Sequence, residues 1–284
     1  IHNLWGHNDS DRNCGDNVNC SSANNYQDPV NAASWLDMGG YICSGSMINN
    51  TNNDLTPYFL TAWHCIDNSN VNIFRFYFNY ETSSCSGNNA NYGSYAYSSD
   101  LLVTSGDYDP DIALLRIDDT IYSSWNVFYA GWNRSSSSPT ISCGVHHPGG
   151  APKKINFDND TAYNSGPINW EGGGSSPNGS HWEVYWDDGG TEGGSSGSPL
   201  FDNNQRIVGQ LSGGSGACGQ AGSSDLYGKI YRAFATTNIE NWLCPGSTCP
   251  TAIDGIYTAG ESDYITVTDP NGGETLDVGS DFDI

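Results

Sequence analysis

Three short segments carry residue types that together can perform acyl transfer. Glu192-Gly193-Gly194-Ser195-Ser196-Gly197-Ser198-Pro199-Leu200 sets a serine among glycines and reads Gly-x-Ser-Gly-x-Pro at its centre. Small neighbours let an acyl group approach the backbone, and glycine takes the sharp turn that exposes a nucleophile. In such a turn the N–H groups of Gly194 and Ser196 can converge as an oxyanion hole. With 35 glycines in the chain, a plain Gly/Ser loop is the alternative for this stretch taken alone. Tyr58-Phe59-Leu60-Thr61-Ala62-Trp63-His64-Cys65 ends an apolar run in a histidine, a candidate general base. Asp111-Ile112-Ala113-Leu114-Leu115-Arg116-Ile117 places an aspartate at the mouth of a strand, where it can orient that imidazole. His64, Asp111 and Ser196 follow one of the chain orders in which a Ser-His-Asp triad occurs. Asp109 is the rival acid, and the Asp-Ile-Ala-Leu-Leu pattern favours Asp111. Of the six histidines, His146 and His147 precede Pro148-Gly149-Gly150 and read as a structural turn. His2, His7 and His181 have no supporting motif.

These residues need rigid elements to hold them. The 284 residues suffice for one large two-barrel domain or two small ones. Runs rich in β-branched and aromatic residues, separated by turn chemistry, predict strands at Tyr41–Ile48, Pro57–Ala62, Val71–Tyr80, Asp100–Thr104 and Asp111–Ile117. A second set follows at Phe128–Trp132, Thr140–His146, Lys153–Phe157, His181–Trp186, Ser198–Phe201, Arg206–Leu211 and Leu226–Phe234. The only persuasive helix is Thr236–Leu243. The first set carries His64 and Asp111 and the second carries Ser196, so the triad would bridge a cleft between two barrels. Residues 1–34 are polar, with little period, and read as an arm. Asp9, Asp11 and Asp16 there are candidate calcium ligands, although their spacing is not that of an EF-hand loop. No cofactor is required by the chemistry. After Gly255 the character changes. Tyr264-Ile265-Thr266-Val267-Thr268, the turn Asn271-Gly272-Gly273 and Glu274-Thr275-Leu276-Asp277-Val278 resemble the opening strands of an Ig-like β-sandwich. Two strands bury no core alone, so residues 256–284 read as a linker and a truncated accessory domain, or as an arm docked on the rest.

Composition narrows the partners. The net charge of −23 excludes nonspecific nucleic-acid binding as a main activity and suits cationic substrates. No run is long enough to span a bilayer. The chain begins at Ile1, with neither Met nor signal peptide, and reads as a mature product of a secreted, monomeric protein. Nine cysteines in a Gly/Ser/Asn-rich chain point to an oxidising compartment, and no Cys-x-x-Cys metal pattern is present. Cys244 and Cys249 are close enough in sequence to close a small loop. Cys143, at an apolar strand position, reads as a buried free thiol.

The three motifs, in this order, resemble the trypsin-like serine proteases, and a wider pattern narrows the likeness to the bacterial lysyl endopeptidases. That pattern runs from about Cys14 to Gly255. It includes Trp35 to Ser46 with Cys43, Tyr77-Phe78-Asn79-Tyr80 before Cys85, and Phe128-Tyr129-Ala130-Gly131-Trp132. It also includes His146-His147-Pro148, Ile207-Val208-Gly209-Gln210-Leu211, Ser224-Asp225-Leu226-Tyr227-Gly228 and Ile253-Asp254-Gly255. The resemblance implies an all-β fold of chymotrypsin type. Two six-stranded antiparallel β-barrels (about 35–125 and about 126–235) and a short C-terminal helix (236–243) would form a protease domain spanning residues 1–255. It also implies the disulfides Cys14–Cys218, Cys20–Cys85 and Cys43–Cys65.

The same resemblance places a specificity pocket around Thr191, Glu192, Ser212, Gly213, Gly214 and Trp170, with Asp225 at its floor to select lysine. A turn aspartate is the plain alternative for Asp225. Thr191 stands where ordinary trypsins carry their pocket Asp, and Glu192 adds negative potential to the same wall. Two departures stand out. The family has a His stacked on a Trp where this chain has Ser212, while Trp170 is present. Ser195 precedes the nucleophile where trypsin has Asp, so an amino group at Ile1 would lack its usual buried partner. The expected activity is hydrolysis of protein or peptide substrates after lysine. The competing readings are a broader Lys/Arg preference on the same fold and, in another class, a catalytically inactive binding module.

Overall fold

The computed structural model describes residues 14–258 apart from residues 68, 88, 172, 216, 220–223 and 247. Ile1, Asp9, Asp11 and the segment from Asp263 to Ile284 lie outside the described residues. The described chain is mostly β, in two large sheets.

Seven antiparallel strands form the first sheet, in the spatial order Tyr95–Tyr97, Arg75–Tyr77, Ala33–Asp37, Ile42–Met47, Tyr58–Ala62, Ile112–Ile117 and Ser99–Thr104. The strand that leads to His64 and the strand that follows Asp111 are direct neighbours, with Ile112 opposite Ala62 and Ala113 opposite Thr61. The second sheet has ten strands. Its main path runs Asp16–Asn17, Lys154–Asp158, Ser142–His146, Pro199–Asp202, Ile207–Gly214, Ser224–Lys229, His181–Tyr185 and Tyr163–Asn164, and Trp132–Asn133 and Ala252–Ile253 join it at the side. The polar arm is therefore partly structured. Asp16–Asn17 pairs with Lys154–Ile155, and Gln27–Ala32 is a helix whose buried face is Pro29, Val30 and Ala32.

The apolar runs are buried on both faces because each sheet has a core on either side. In Tyr58–Ala62 and Ile112–Ile117, alternate side chains part company. Phe59, Ala113 and Leu115 fill the interior of the first barrel. Tyr58, Leu60, Ile112 and Leu114 instead meet Trp132, Val145 and Phe201 in a core between the sheets. A third core of Trp182, Val184, Leu200, Val208 and Tyr227 fills the second barrel. Each fully buried aliphatic or aromatic side chain contributes about 1.5–3 kcal/mol, so burial on two faces explains near-continuous apolar sequence without alternation.

Four elements differ from the sequence reading. Val71–Tyr80 opens with a 3-10 turn at Val71–Ile73 and is a strand only at Arg75–Tyr77, and Phe128–Trp132 divides into Phe128–Tyr129 and Trp132–Asn133, which lie in different sheets. Leu226–Phe234 is not one strand: Ser224–Lys229 is a strand and Ile230–Thr236 a helix. Ile230 and Ala233, at helical spacing, bury against the central core, and the strongly apolar run masked that change of period. The expected helix Thr236–Leu243 is interrupted. Thr237 is extended, its hydroxyl donates back to the Ala233 carbonyl, and a second short helix forms at Glu240–Leu243.

The disulfides Cys14–Cys218, Cys20–Cys85, Cys43–Cys65 and Cys244–Cys249 are present, and Cys143 is a buried free thiol. Burial pushes that thiol well above its ordinary pKa, with the Asp202 carboxylate adding to the effect, so it stays protonated and inert. Thiol counting on unfolded, unreduced protein is expected to find one thiol per chain, and native protein none. A count of three would remove the Cys244–Cys249 bond.

Candidate active site

His64 lies in the single helical turn Trp63–Ile66, immediately after the buried strand Tyr58–Ala62. Three contacts fix the turn. Cys65 is tied to Cys43 of the adjacent strand, the Trp63 N–H donates to the Asp111 carbonyl at 3.0 Å, and the His64 N–H donates to Asp111 Oδ1 at 2.9 Å. The ring Nδ1 lies 2.7 Å from Asp111 Oδ2. The Asp111 side chain is fully buried, whereas that of His64 is 23% exposed, so the imidazole has one edge on the acid and one open. Asp111 has φ 64°, in the left-handed region that Asp tolerates better than most residues. Burial raises its carboxyl pKa, and the His64 ring, the His64 N–H and the Ser212 hydroxyl pull it back.

The rival acid is accounted for elsewhere. Asp109 pairs with Arg232 through two bonds, Nε to Oδ1 at 2.9 Å and Nη2 to Oδ2 at 2.7 Å. This clasp joins the loop before Asp111 to the helix Ile230–Thr236. Gln210 makes a second clasp, donating from Nε2 to the carbonyls of Pro110 and Asp111 at 2.9 and 3.0 Å.

The Ser196 loop is held from both sheets. The Ser44 N–H donates to the Ser196 carbonyl at 2.8 Å, and the Ser44 hydroxyl donates to the Gly194 carbonyl at 2.9 Å. Gly197, at φ 80°, packs so closely on the end of the His64 strand that a Cβ there would collide with Thr61 Oγ1 and the Ser44 carbonyl. Glycine is thus required by both conformation and space, and this contact brings Ser196 alongside the residues that lead to His64. Within the loop, the N–H groups of Ser195 and Gly197 are engaged by the Glu192 and Leu211 carbonyls. Among the described residues, no backbone carbonyl takes the N–H of Gly194 or Ser196. Those two N–H groups are the ones the sequence reading put forward for an oxyanion hole.

Sequence reasoning missed what holds this loop. Ser195 is fully buried, and its hydroxyl lies 2.7 Å from His146 Nδ1 and accepts from the Glu192 N–H at 3.3 Å. His146 Nε2 in turn reaches the Cys14 carbonyl and Asn156 Oδ1. His146 is therefore not a turn residue but the clamp behind the residue next to Ser196, at the end of the strand Ser142–His146. His147 is part of the same frame: its N–H donates to Ser44 Oγ at 3.0 Å and its Nδ1 donates to the Ala151 carbonyl. A histidine read against its own neighbours gives no hint of either role.

Burial lowers the His146 pKa from 6.5 to about 4. The folded value lies below the unfolded one, so this stability is complete above the unfolded value and is lost as pH falls through the window between them. The contribution at stake is about 3 kcal/mol. Denaturant unfolding at pH 7, 5.5 and 4 is expected to give a steeper loss for the wild type than for His146→Gln. Parallel losses in the two proteins would exclude a neutral buried His146.

The segments expected to frame a pocket do run together. Gly190 packs against Ala217 and Cys218, and the Cys14–Cys218 bond ties that edge to the arm. Thr191 is buried, and the Glu192 carboxylate lies within 4.8 Å of the Cys14 and Cys218 sulfurs. Gly214 pairs with Asp225 across neighbouring strands, close enough that a Cβ on Gly214 would meet Asp225 Oδ1. Asp225 is completely buried and accepts from Trp186 Nε1 at 2.6 Å. Gly213 lies against the ring of Trp170.

Trp170 belongs to an aromatic shelf beside His64. Its ring stacks on Tyr108 at 5.0 Å, and Tyr108 faces the His64 ring at 6.1 Å and packs edge-on against Trp63. Trp170 Nε1 donates to Ser176 Oγ, which donates to the Tyr108 carbonyl. The sequence reading named Trp170 but not Tyr108, whose position three residues before Asp111 was the available signal. Behind the shelf, His181 is fully buried, lies 5.6 Å from Trp170 and reaches Ser212 Oγ at 3.0 Å.

Comparison with known proteins places this geometry. A family model described as "Lysyl endopeptidase, C-terminal domain" matches residues 7–228. The lysyl endopeptidase of Pseudomonas aeruginosa is 30% identical over 223 residues, covering 71% of this chain and 45% of that protein. The chain thus spans less than half the length of that relative. Among solved structures, a Glu endopeptidase in complex with MPD superposes with TM-score 0.51 at 19% identity, covering 73% of this chain and 88% of that one. Kallikrein-related peptidase 10 superposes with TM-score 0.50 at 16% identity, covering 73% and 94%. At these identities the two structures speak to the fold alone, which they share with this chain.

Proposed function

Since the chain belongs to the lysyl endopeptidase family, we propose that it is a secreted serine endopeptidase that cleaves on the carboxyl side of lysine. The observation that carries this reading is the buried Asp111 bonded to both the ring and the backbone of His64, beside a serine loop with two unengaged N–H groups. Ser196 Oγ attacks the scissile carbonyl while His64 Nε2 takes its proton. The negative charge forms where the Gly194 and Ser196 N–H groups donate. His64 then protonates the leaving amine, an acyl-enzyme forms on Ser196, and water activated by His64 releases the acid. Asp111 keeps the Nδ1–H tautomer and offsets the imidazolium charge. No cofactor enters any step.

Asp225 supplies the preference. Its carboxylate, buried at the end of the frame made by residues 190–192, 213–215, 217 and 218, meets the ammonium of a bound lysine. Four disulfides agree with an oxidising, extracellular setting, and no described helix is long and apolar enough to cross a membrane. The acidic surface suits substrates rich in basic residues, handled by a monomer.

A phosphonylating serine reagent, followed by peptide mapping, tests the assignment. Stoichiometric modification of Ser196, together with cleavage of a denatured protein after lysine, is the expected result. Folded protein that takes no label is a binding module, and cleavage after lysine and arginine alike reveals the broader specificity.

A further inference from the structure

Each N–H group assigned above to the oxyanion is set by the carbonyl of its own peptide. A trans peptide is planar, so its N–H points opposite its C=O, and fixing one fixes the other. The Ser196 N–H belongs to the Ser195–Ser196 peptide, whose carbonyl accepts from the Ser198 N–H at 3.0 Å within the same turn. The Gly194 N–H belongs to the Gly193–Gly194 peptide, and the partner there comes from another segment: the Gly193 carbonyl accepts from the Gly149 N–H at 2.7 Å. Without that bond little resists reversal of the peptide. A peptide reverses by turning ψ of the residue before it and φ of the residue after it, and here both are glycines with no Cβ to obstruct the turn. Gly194 already lies at φ 97°, in the region that favours glycine. The reversed peptide would present a carbonyl where the donor should stand.

The Gly149 donor sits in a turn anchored from beneath. Gly149 itself is exposed, at φ 60° and ψ 10°. The turn closes through the Gly150 N–H to the His147 carbonyl at 3.2 Å and the Ala151 N–H to the Pro148 carbonyl at 2.8 Å. His147 is fully buried, with its ring stacked on Tyr80 at 5.8 Å. A carbonyl only accepts, so His147 Nδ1 carries the proton in its 3.0 Å bond to the Ala151 carbonyl. Burial, with the Lys153 charge adding to it, lowers the His147 pKa well below 6.5, so the ring is neutral. The His147 N–H donates to Ser44 Oγ, which donates to the Gly194 carbonyl at 2.9 Å. The turn and the serine loop are thus joined at two successive peptides, Gly193–Gly194 through Gly149 and Gly194–Ser195 through Ser44.

We propose that the Pro148–Ala151 turn, held by His147, is the positioning element of the oxyanion hole, its Gly149 N–H fixing the Gly193–Gly194 peptide so that the Gly194 N–H faces the developing oxyanion. This rests on the protease reading above. The donor is needed most when the carbonyl oxygen carries full charge, so the effect belongs to kcat rather than KM.

The test compares a peptide ester with its thiono counterpart, in which sulfur replaces the carbonyl oxygen. Both carry the residue after which wild-type protein cleaves, lysine on the reading above. Sulfur accepts N–H bonds weakly, so the thiono ester gains little from the oxyanion donors. Active sites are counted by end-point labelling with the phosphonylating reagent. Gly149→Val puts a β-branched residue at a φ it does not adopt, in an exposed position. It is expected to lower kcat for the oxygen ester about a hundredfold, the scale of one lost oxyanion donor, with KM unchanged within about twofold. The thiono ester should slow by less than about threefold, so the oxygen-to-sulfur rate ratio falls. Gly149→Asn tolerates that φ, keeps the N–H and is expected to stay within about threefold of wild type on both esters. His147→Phe keeps a ring on Tyr80 and loses the Nδ1–H. It should lower the ratio about tenfold, and His147→Asn, which returns an N–H donor, should recover part of it. Equal slowing of both esters by Gly149→Val is the mark of a general structural role and would overturn the proposal. So would an unchanged kcat in Gly149→Val, a Gly149→Asn no better than Gly149→Val, or a folded His147→Phe with the wild-type ratio. Should His147→Phe not fold, the two Gly149 variants decide alone. Wild-type protein that takes no phosphonyl label removes the protease reading itself, and the proposal falls with it.

Discussion

Ser196→Ala is expected to lower kcat/KM for a lysyl peptide by roughly a million-fold, with peptide binding retained. The size of the effect follows from the division of labour. Without the hydroxyl no acyl-enzyme forms, and what remains is the polarisation of the carbonyl by the Gly194 and Ser196 N–H groups, acting with water as nucleophile. His64→Ala should cost about as much, because an unactivated serine hydroxyl is a poor nucleophile at neutral pH. Asp111→Asn should cost about 10⁴-fold, since an amide at this position presents the wrong donor to Nδ1 and selects the wrong tautomer. The losses should not multiply: Ser196→Ala with His64→Ala should be no slower than either alone. Circular dichroism and thiol counts on the variants separate chemistry from misfolding. Near-normal turnover in Ser196→Ala would sink the assignment of the nucleophile, and near-normal turnover in His64→Ala that of the base.

Asp225→Asn is expected to remove most of the preference for lysine while leaving Ser196 reactive to a small phosphonylating reagent. In the wild type a lysine ammonium next to Asp225 gains a charge-assisted hydrogen bond of about 1.5–3 kcal/mol. A leucine in the same place forms no such bond with the carboxylate, which is already buried before substrate arrives. The difference separates lysine from leucine by about ten- to a hundred-fold in kcat/KM, and the uncharged variant should bring the ratio close to one. Trp186 Nε1 already donates to Asp225 Oδ2 at 2.6 Å, which keeps the carboxylate oriented when no substrate is bound. Lysine should exceed arginine, because a point charge needs only reach, whereas a guanidinium needs room and a fork of acceptors. Full lysine preference in Asp225→Asn would transfer the role to another carboxylate, Glu192 first.

Much of this was legible in the chain itself. The apolar runs around His64 and Asp111 marked strands because each is buried on both faces, and the glycines around Ser196 marked a turn that no side chain could make. The order of the three motifs, the three long-range disulfides implied by the family resemblance and the inert Cys143 all agree with the structure. The strands and the turn are local features: a period, a turn residue or a motif of a few positions sets backbone conformation over the same few positions, whereas the disulfide pairing came from the family resemblance.

Other features depended on the tertiary structure. Asp111 rather than Asp109 faces His64 because Arg232, from the far end of the chain, occupies Asp109. Ser195 lacks the charge found beside the nucleophile in trypsin, yet its loop is anchored, because His146 arrives from another strand to take its hydroxyl. Where the family resemblance placed a stacked histidine, this chain has Ser212, and His181 from a different strand lies against both Ser212 and Trp170. Only the folded sheet brings these side chains together, since a buried polar group needs a partner in space and not in sequence, and many sequence positions can supply one. The sequence by itself determined which residues could do the chemistry. The tertiary structure decided which groups stand behind them, because burial, not local pattern, dictates which polar atoms must meet.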